Sequence, residues 1–563
     1  MKSTRFVSYL ISCFILIFGV SIRMFSPLAD PPEDISWSGG YYADEGFWTH
    51  DARNYYLFGR YGDDEWHDRF VSPLIHPIIY SAFLLFGSGL FALRFWAQTA
   101  SAIALIIFFL AVKKYSWGIK AFAFIASCSI LIAYQKIALL ETAVIPVCSV
   151  ILLFWLISNK SSNCLWDTLS GCFAAAAFLV KNTQLYMLPV LIIATTFVST
   201  GKQRIRRLVF QCIGIVAVTV PYYVTVYLPN SGIIQQYQTF YLSQHGSGIA
   251  QITKNIITQP FWLYFNQMPF IFMVAWIILG IILITRSLRK LPDPVLFSLI
   301  WFVSGLIMLA PMGYRPLRYY VPIIPSICIL AGYFFSSDFH ARFKDSLSFS
   351  RKFMLSLWVC LPIFANGIFG VDQLVLDSKI LGLDFLNRIH VYKSFMLVFL
   401  GVVFAISIWI KRVWMNSRCV NGIFVLAIVF NLVQTGYWMK HRTFNVLNAA
   451  EYIAGLPSGS VIAGQWAPEL CIESEHKAIP VWKNFVNDNN PFDKYNVTHV
   501  LSWCYPPQKS ELELQREWFP LQMQYAVKAH SFRIKNSEVI LWDLLKYRNE
   551  KSDLPITQRK IND

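Results

Sequence analysis

The amino-acid sequence predicts an α-helical polytopic membrane protein of about 13 transmembrane helices, followed by a C-terminal extracytoplasmic α/β domain. Hydrophobic residues make up 56% of the 563 residues, and charged residues only 14%. The mean hydropathy of +0.47 arises from long uncharged runs, each of a length that can cross a bilayer. Together these observations exclude an ordinary soluble globular fold.

The first apolar run covers residues 6–25 and follows the basic residues Lys2 and Arg5. It is long enough to cross a membrane, and no small-residue cleavage site follows it, so we expect a retained signal-anchor helix. The other predicted spans are about 20 residues long. They begin near Phe91, Ile119, Ala138, Leu165, Leu185, Leu208, Asn266, Val295, Leu317, Phe353, Phe395 and Gly422.

Lysine and arginine are concentrated in alternate loops. If the N-terminus is cytoplasmic, the basic loops at 113–114, 202–207, 286–290, 342–352 and 411–418 all lie on the cytoplasmic side. This pattern follows the positive-inside rule and places the C-terminal segment outside the cytoplasm. The net charge of +16 is therefore a signal of topology and of affinity for anionic lipid, and nucleic-acid binding is not indicated.

Two domains are predicted. Residues 1–439 form the transmembrane domain, with a first extracytoplasmic loop at 26–90 that holds interfacial helices and a polar loop at 229–260. Residues 440–563 alternate helix-like and strand-like patterns and are numerous enough for an α/β domain with its own core.

Cysteine usage gives a weaker indication. Cys471 and Cys504 fall in the predicted outer domain, where an oxidising compartment would allow a disulfide. The sequence does not bring the two within bonding distance, so free thiols stay an equal alternative. The remaining cysteines have no metal-type spacing.

Asp44 and Glu45 form an acidic pair directly after the first predicted span. Charge near a bilayer is costly to desolvate, so a site that handles protons or sugar hydroxyls is one reason for such a pair. Residues 47–56 follow at helical spacing and predict an amphipathic helix on the membrane surface. Asp44 would begin that helix, where free N–H groups favour its ionised form. A simple N-cap is the alternative.

The first loop contains two further candidates. The acidic run 63–68 could ligate a cation, although a solvated loop accounts for it better. His76 opens a short apolar segment, 74–90, that is expected to lie at the interface. As a lone histidine it could equally be structural.

Several short motifs occur in a specific order. Asp44-Glu45 is followed by Ile75-His76-Pro77 with Tyr80, then by Phe86-Gly87 and Arg94. Later come Lys136-Ile-Ala-Leu-Leu-Glu141-Thr142, Phe178-Leu-Val-Lys181-Asn182 and Arg315-Pro-Leu-Arg318-Tyr319-Tyr-Val-Pro322. This series resembles the GT-C superfamily of polytopic glycosyltransferases that use polyprenyl-phosphate sugars. The resemblance is to the branch of protein O-mannosyltransferases, the lipid A aminoarabinose transferase and related bacterial lipopolysaccharide transferases, over roughly residues 1 to 340.

The motifs depart from the family pattern in two segments. In the first, His76 stands where some members have lysine, and Ile78 stands in place of a second proline. In the segment from Lys136 to Thr142, Lys136 stands in place of an arginine and the proline is displaced to Pro146. The predicted topology nevertheless places all the motifs on the same outer face.

The resemblance implies inverting transfer of a sugar from a polyprenyl-phosphate donor to a hydroxyl of a glycan, lipid or protein acceptor. It implies Asp44 as the general base, with Glu45 as its catalytic neighbour. It also implies a bacterial inner membrane location and no certain cofactor, with a divalent cation left open. The implied substrate-binding residues are His76, Lys136, Glu141, Lys181, Arg315, Arg318 and Tyr319.

The basic residues and the many spans are also compatible with roles outside catalysis. Lys136 and Lys181 could simply extend to the membrane interface, and Arg315 and Arg318 could contact lipid headgroups. A transporter or flippase would also have many spans, but it would more often show internal symmetry and charges deep in its helices. A non-catalytic subunit of a glycan-assembly system could share the fold, although retention of Asp44 disfavours that.

Overall fold

The computed structural model describes residues 2–32, 43–161, 163–243, 252–253, 255–256, 269–285, 288–312, 316–343, 348–360, 417–504, 516–534 and 537–544. The helices of the N-terminal part are α1 (Lys2–Met24), α2 (Asp44–Phe47), α3 (His50–Phe58), α4 (Asp68–Val71), α5 (Ile75–Phe86), α6 (Leu90–Val112), α7 (Gly118–Ser127), α8 (Ser129–Tyr134), α9 (Leu140–Ser158), α10 (Cys164–Val180), α11 (Met187–Val198), α12 (Gly201–Tyr222) and α13 (Ser231–Ser243). They are followed by α14 (Pro269–Thr285), α15 (Asp293–Leu309), α16 (Ile324–Phe334), α17 (Ser337–Phe343) and α18 (Ser417–Lys440).

The chain is a mostly helical, polytopic membrane protein. Among the described residues, five helical stretches are long and apolar enough to cross a membrane, and shorter apolar helices accompany them. The five are Leu90–Val112, Leu140–Ser158, Gly201–Tyr227, Leu317–Phe334 and Asn421–Ala454. The span count of about 13 stays a prediction, and the span expected near Phe395 lies outside the described residues. The basic residues 202–207, expected in a loop, belong to the first turns of α12.

Helices α10 and α12 pack especially closely because glycines lie at their contact. A Cβ atom on Gly171 would overlap the carbonyl of Gln211, and one on Gly214 would overlap the carbonyl of Thr168. Small residues allow this kind of close backbone approach between membrane helices.

The first loop is packed differently from the sequence prediction. The polar residues of α3 are buried, whereas Phe58 and Tyr55 are the more exposed side chains. The polar side of α3 is buried because His50 and Asp51 pair with residues of the same loop and Arg53 donates to the C-terminal unit. The position of this helix on the membrane surface stays a prediction. The polar loop expected at 229–260 is helical over the α13 residues.

The C-terminal part is an α/β unit, as its pattern predicts. Its helices are α19 (Asn445–Ala454), α20 (Ala467–Leu470), α21 (Pro491–Lys494) and α22 (Pro520–Met523), and its strands are β1 (Val461–Ala463), β2 (Lys477–Ile479), β3 (His499–Cys504), β4 (Val527–Ile534) and β5 (Ser537–Asp543). The strand order is β2-β1-β3-β5-β4. β1 runs parallel to β2 and β3, and β5 runs antiparallel to β3 and β4. Cys471 is a buried free thiol, so the disulfide considered from the sequence is not formed.

Buried polar contacts attach this unit to the first loop. Arg53 donates to the backbone carbonyls of Cys471, Ser474 and His476 at 2.6–2.8 Å. The N–H of Leu90 donates to Glu473 at 2.6 Å. The carbonyls that accept from Arg53 and the N–H of Leu90 are backbone groups that need a partner when buried. These bonds therefore hold α3 and the start of α6 against the C-terminal unit.

Candidate active site

Asp44 is the first residue of α2 and does not cap that helix. Ala43 holds the N-cap position, where no side-chain cap bond is made. The Asp44 carboxylate pairs instead with Arg318, with 2.5 Å between Oδ2 and Nη1. Arg318 lies in a 3₁₀ segment, Leu317–Ile323, that begins directly after Pro316. The geometry therefore excludes the simple capping role for Asp44.

A second ion pair adjoins the first. Lys181 Nζ donates to Glu141 Oε1 at 2.5 Å, and Arg318 Nε lies 3.7 Å from the same oxygen. The Lys181 ammonium also lies 4.2 Å from the ring centroid of Tyr319. The ion-pair cluster, by which we mean Asp44, Glu141, Lys181 and Arg318, thus alternates carboxylates with cations. The cluster and the neighbouring Tyr319 bring five predicted site residues together.

Asp44 is the more accessible carboxylate of this cluster. Its side chain is 18% exposed, compared with 2% for Glu141. Burial raises the pKa of Asp44, while the positive charge of Arg318 opposes this by favouring the ionised form. A carboxylate with a raised pKa and partial exposure is suited to accept a proton from a bound hydroxyl.

Glu45 is separated from the ion-pair cluster. Its carboxylate is fully buried, with Oε2 3.0 Å from Arg94 Nε and Oε1 accepting the N–H of Ala138 at 2.8 Å. Successive helical residues point about 100° apart, so Asp44 and Glu45 face different surroundings. Glu45 is thus placed to anchor α2, and the structure does not bring it to the same group as Asp44.

Arg94 organises a buried group that the sequence prediction did not count among the site residues. Besides Glu45, Arg94 lies 3.5 Å from Asp30, and its Nη1 donates to the carbonyl of Leu28 at 2.8 Å. Glu469 of α20 accepts the N–H of Gly46, the third residue of α2. Burial, followed by the neighbouring Glu45 carboxylate, raises the pKa of Glu469 well above its usual range. An arginine inside an apolar run was the signal available for Arg94, but nothing in the sequence marked Glu469.

Three other predicted residues are not part of the cluster as described. Lys136 Nζ donates to the carbonyls of Arg23 (2.7 Å) and Phe25, and burial lowers its pKa to about 7. His76 packs among tyrosines, 5.4 Å from the Tyr61 ring, and burial lowers its pKa. Arg315 lies outside the described residues.

The acidic run at 63–68 is not the solvated loop that the sequence favoured. Asp64 is buried and lies 3.0 Å from His50, and Asp68 is buried and accepts the N–H of Asp51 at 2.8 Å. The run contains Asp63, Asp64 and Asp68, and only Asp63 of these is well exposed. Within the described ranges, no group of three or more histidine, cysteine, aspartate or glutamate residues is arranged to hold a metal ion.

A cavity of about 610 Å³, which we call the tyrosine cavity, is lined by residues of α10, α12 and α13, and none of the four residues of the ion-pair cluster lines it. Its wall includes Asn182, which follows Lys181 in the chain, and apolar residues of α10 and α12. The tyrosines in the wall are Tyr222, Tyr223, Tyr227, Tyr237 and Tyr241. Three of these lie at or next to a π-helical segment, a local distortion that is frequent at functional sites. Burial, followed by neighbouring Tyr319 and Asp44, raises the pKa of Tyr241 well above its usual range.

The overall architecture is similar to that of solved membrane enzymes. ArnT from Cupriavidus metallidurans, solved both bound to undecaprenyl phosphate and in the apo state, is 16% identical with a TM-score of 0.50. The match covers 96% of this chain and 98% of ArnT. This chain therefore shares the overall fold of ArnT over nearly its whole length.

More distant similarities extend over the same length of this chain. AglB from Archaeoglobus fulgidus, in complex with an inhibitory peptide and a dolichol-phosphate, is 11% identical with a TM-score of 0.41, covering 98% of this chain and 75% of AglB. The mycobacterial arabinofuranosyltransferase AftD is 12% identical with a TM-score of 0.41. No family model matches the sequence, and no curated protein matches it either.

Proposed function

We propose that this protein is an integral-membrane glycosyltransferase. It transfers a sugar, with inversion, from a polyprenyl-phosphate donor to an acceptor hydroxyl on the extracytoplasmic face. The observation that carries the proposal is the ion pair between Asp44 and Arg318, which joins a partly exposed carboxylate to a cation. The GT-C fold and the undecaprenyl phosphate bound by ArnT support a lipid-linked donor.

The chemistry needs one base and several cations. Asp44 accepts the proton of the acceptor hydroxyl while the acceptor oxygen bonds to the anomeric carbon of the donor. The bond between that carbon and the phosphate oxygen breaks, and its electron pair leaves with the polyprenyl phosphate. Arg318 and Lys181 are placed to neutralise the charge that develops on the phosphate.

The tyrosine cavity suits the lipid part of the donor. Its wall includes Asn182, the residue after Lys181, and also Val220 and Tyr223, half-exposed residues of a candidate membrane span. A phosphate at the cations would therefore leave its first prenyl units among apolar and aromatic side chains.

The proposal also includes location and domain roles. Residues 1–439 form the membrane domain, and residues 440–563 form the outer domain, in a bacterial inner membrane with a cytoplasmic N-terminus. The contacts between the first loop and the C-terminal unit support placing both on one side of the membrane.

The test compares lipid extracts by mass spectrometry from cells expressing wild type, Asp44→Asn or Asp63→Asn at equal levels. Asp63 is the matched control because it is an exposed aspartate of the same loop. We expect a polyprenyl-phosphate sugar to accumulate with Asp44→Asn only, because loss of a positioned base slows transfer roughly 10²–10⁴-fold. Unchanged lipids and unchanged envelope glycans would overturn the proposal and favour transport or a non-catalytic subunit.

A further inference from the structure

Helix α13 separates two different binding spaces. One face of α13 contributes to the tyrosine cavity, and another face lines a second space of about 430 Å³, which we call the α13 cleft. The α13 residues that line the cavity are Ile234, Tyr237, Gln238 and Tyr241, and those that line the cleft are Gln236, Thr239, Phe240 and Ser243. Each set follows the i, i+3, i+4, i+7 spacing of a helix face.

The opposite wall of the α13 cleft is a loop of the C-terminal unit, made by Lys483, Asn484 and Phe485. Asn484 has a left-handed backbone (φ 57°), and its N–H donates to Asp488 at 2.7 Å. Asn487 also has a left-handed backbone, and its side-chain amide donates to the carbonyl of Pro480 at 2.7 Å. These internal contacts give the loop a defined shape before any ligand binds.

The chemistry of the α13 cleft is that of a sugar site. Gln236, Thr239, Ser243 and Asn484 are exposed and offer amide and hydroxyl groups, which both donate and accept hydrogen bonds. Beside them, the rings of Phe240 and Phe485 are stacked with centroids 3.9 Å apart. Hydroxyl-rich ligands need many neutral donors and acceptors next to an apolar surface, and this wall supplies both.

The loop that forms the cleft wall also contacts α2, the helix that carries Asp44. The Trp482 ring lies 6.1 Å from that of Phe47, the last residue of α2. On the α13 side, Tyr241, which lines the tyrosine cavity, contacts Phe485 with ring centroids 5.7 Å apart. Phe485, which lines the cleft, belongs to one buried hydrophobic cluster with Phe47 and with Tyr237 of the tyrosine cavity.

We propose that the α13 cleft binds the sugar chain of the acceptor, while the donor lipid occupies the tyrosine cavity on the other side of the helix. This inference rests on the proposed function. It assigns the C-terminal unit a direct part in acceptor recognition. It identifies the acceptor as a glycan or glycan-bearing molecule, since four of the five polar side chains of the cleft are neutral hydrogen-bonding groups and the fifth is the cation Lys483.

Three glutamines of α13 provide a matched set for the test. Gln236 lines the cleft, Gln238 lines the cavity, and Gln235 is exposed and lines neither. Each is changed to Ala in the full-length protein reconstituted in vesicles. The donor is the lipid that accumulates in Asp44→Asn cells, and the acceptor is the envelope glycan fraction from the same cells.

We expect Gln236→Ala to raise the KM for the glycan fraction roughly two- to tenfold, the effect of losing one hydrogen bond, with the donor KM and kcat unchanged. Gln238→Ala should raise the donor KM and leave the acceptor KM unchanged. Gln235→Ala should change neither. Gln236 also donates to the carbonyl of Phe485 at 3.3 Å, so a second cleft variant is needed.

Asn484→Gly is that variant, because glycine keeps the left-handed backbone while removing the amide. It should raise the acceptor KM as Gln236→Ala does. Acceptor KM values unchanged in both cleft variants of an active protein would overturn this inference alone, as would a rise in the donor KM instead. Undiminished transfer by Asp44→Asn would overturn the proposed function, and absence of transfer by wild type would overturn both.

Discussion

Replacement of Arg318 by Gln should move the acidic limb of the pH–activity profile to higher pH. Burial raises the pKa of Asp44, and Arg318, 2.5 Å away, is the neighbour that most strongly opposes this rise. Without the cation, the ionised carboxylate is less favoured, so a higher pH is needed to deprotonate the base. Activity at saturating pH will also fall, because Arg318 is proposed to hold the donor phosphate.

The size of the shift follows from the geometry. For charge centres about 4 Å apart and an effective dielectric constant of about 20, the attraction is about 4 kcal/mol, or about 3 pKa units. Lys181 stays in the cluster and still attracts the Asp44 carboxylate, so the ionised form keeps part of its stabilisation. We therefore expect the limb to move up by about 1–3 pH units, the range seen for an aspartate beside an arginine.

The assay is the pH dependence of kcat/KM for transfer in vesicles, which reports groups of the free enzyme. The position of the limb is read independently of the lower maximum rate. Arg533→Gln, on the exposed part of β4, is the control and should leave the limb in place. A limb that stays or moves to lower pH in Arg318→Gln would refute the assignment of Asp44 as the titrating base.

Three further predictions concern stability and are read by thermal unfolding of the purified protein. Arg94→Met should destabilise by about 3–5 kcal/mol, because Glu45 loses its buried cation; unchanged unfolding would contradict this. Glu469→Ala should lower the free energy of unfolding by about 1–3 kcal/mol, because the Gly46 N–H is left unpaired. Glu469→Gln keeps an acceptor and should lower it less. Equal losses of stability in the two variants would show that the bond is unimportant. Gly46→Ala should destabilise and inactivate, since its Cβ would overlap the α20 backbone, whereas Gly436→Ala, with open space around it, should not.

The C-terminal unit and the first loop are held together by direct polar contacts. Asp30 accepts the N–H of Asn445 at 2.6 Å and also lies beside Arg94, while Glu65 pairs with Lys494 at 2.7 Å. Helix α2, which carries Asp44, is therefore held between the membrane helices and the C-terminal unit. Changes in that unit are expected to alter activity through the position of Asp44.

The predicted and observed features differ in a physically consistent way. Apolar runs predicted helices near Phe91 and Val295 because hydrophobic length is a local property, and α6 and α15 begin close to those residues. The burial of the polar residues of α3 was not predicted, because the carbonyls that accept from Arg53 belong to a part of the chain that is distant in sequence. Periodicity identifies the two faces of a helix, but it does not say which face is covered.

The sequence by itself determined the membrane class, the α/β character of the tail and the order of charged motifs along the chain, because each depends on neighbouring residues. Only the tertiary structure decided which charges meet. In the structure Asp44 pairs with Arg318, Glu45 pairs instead with Arg94, and His76 lies among tyrosines. Such pairings depend on how distant helices pack, and a buried charge takes whichever partner the packing brings within a few ångströms.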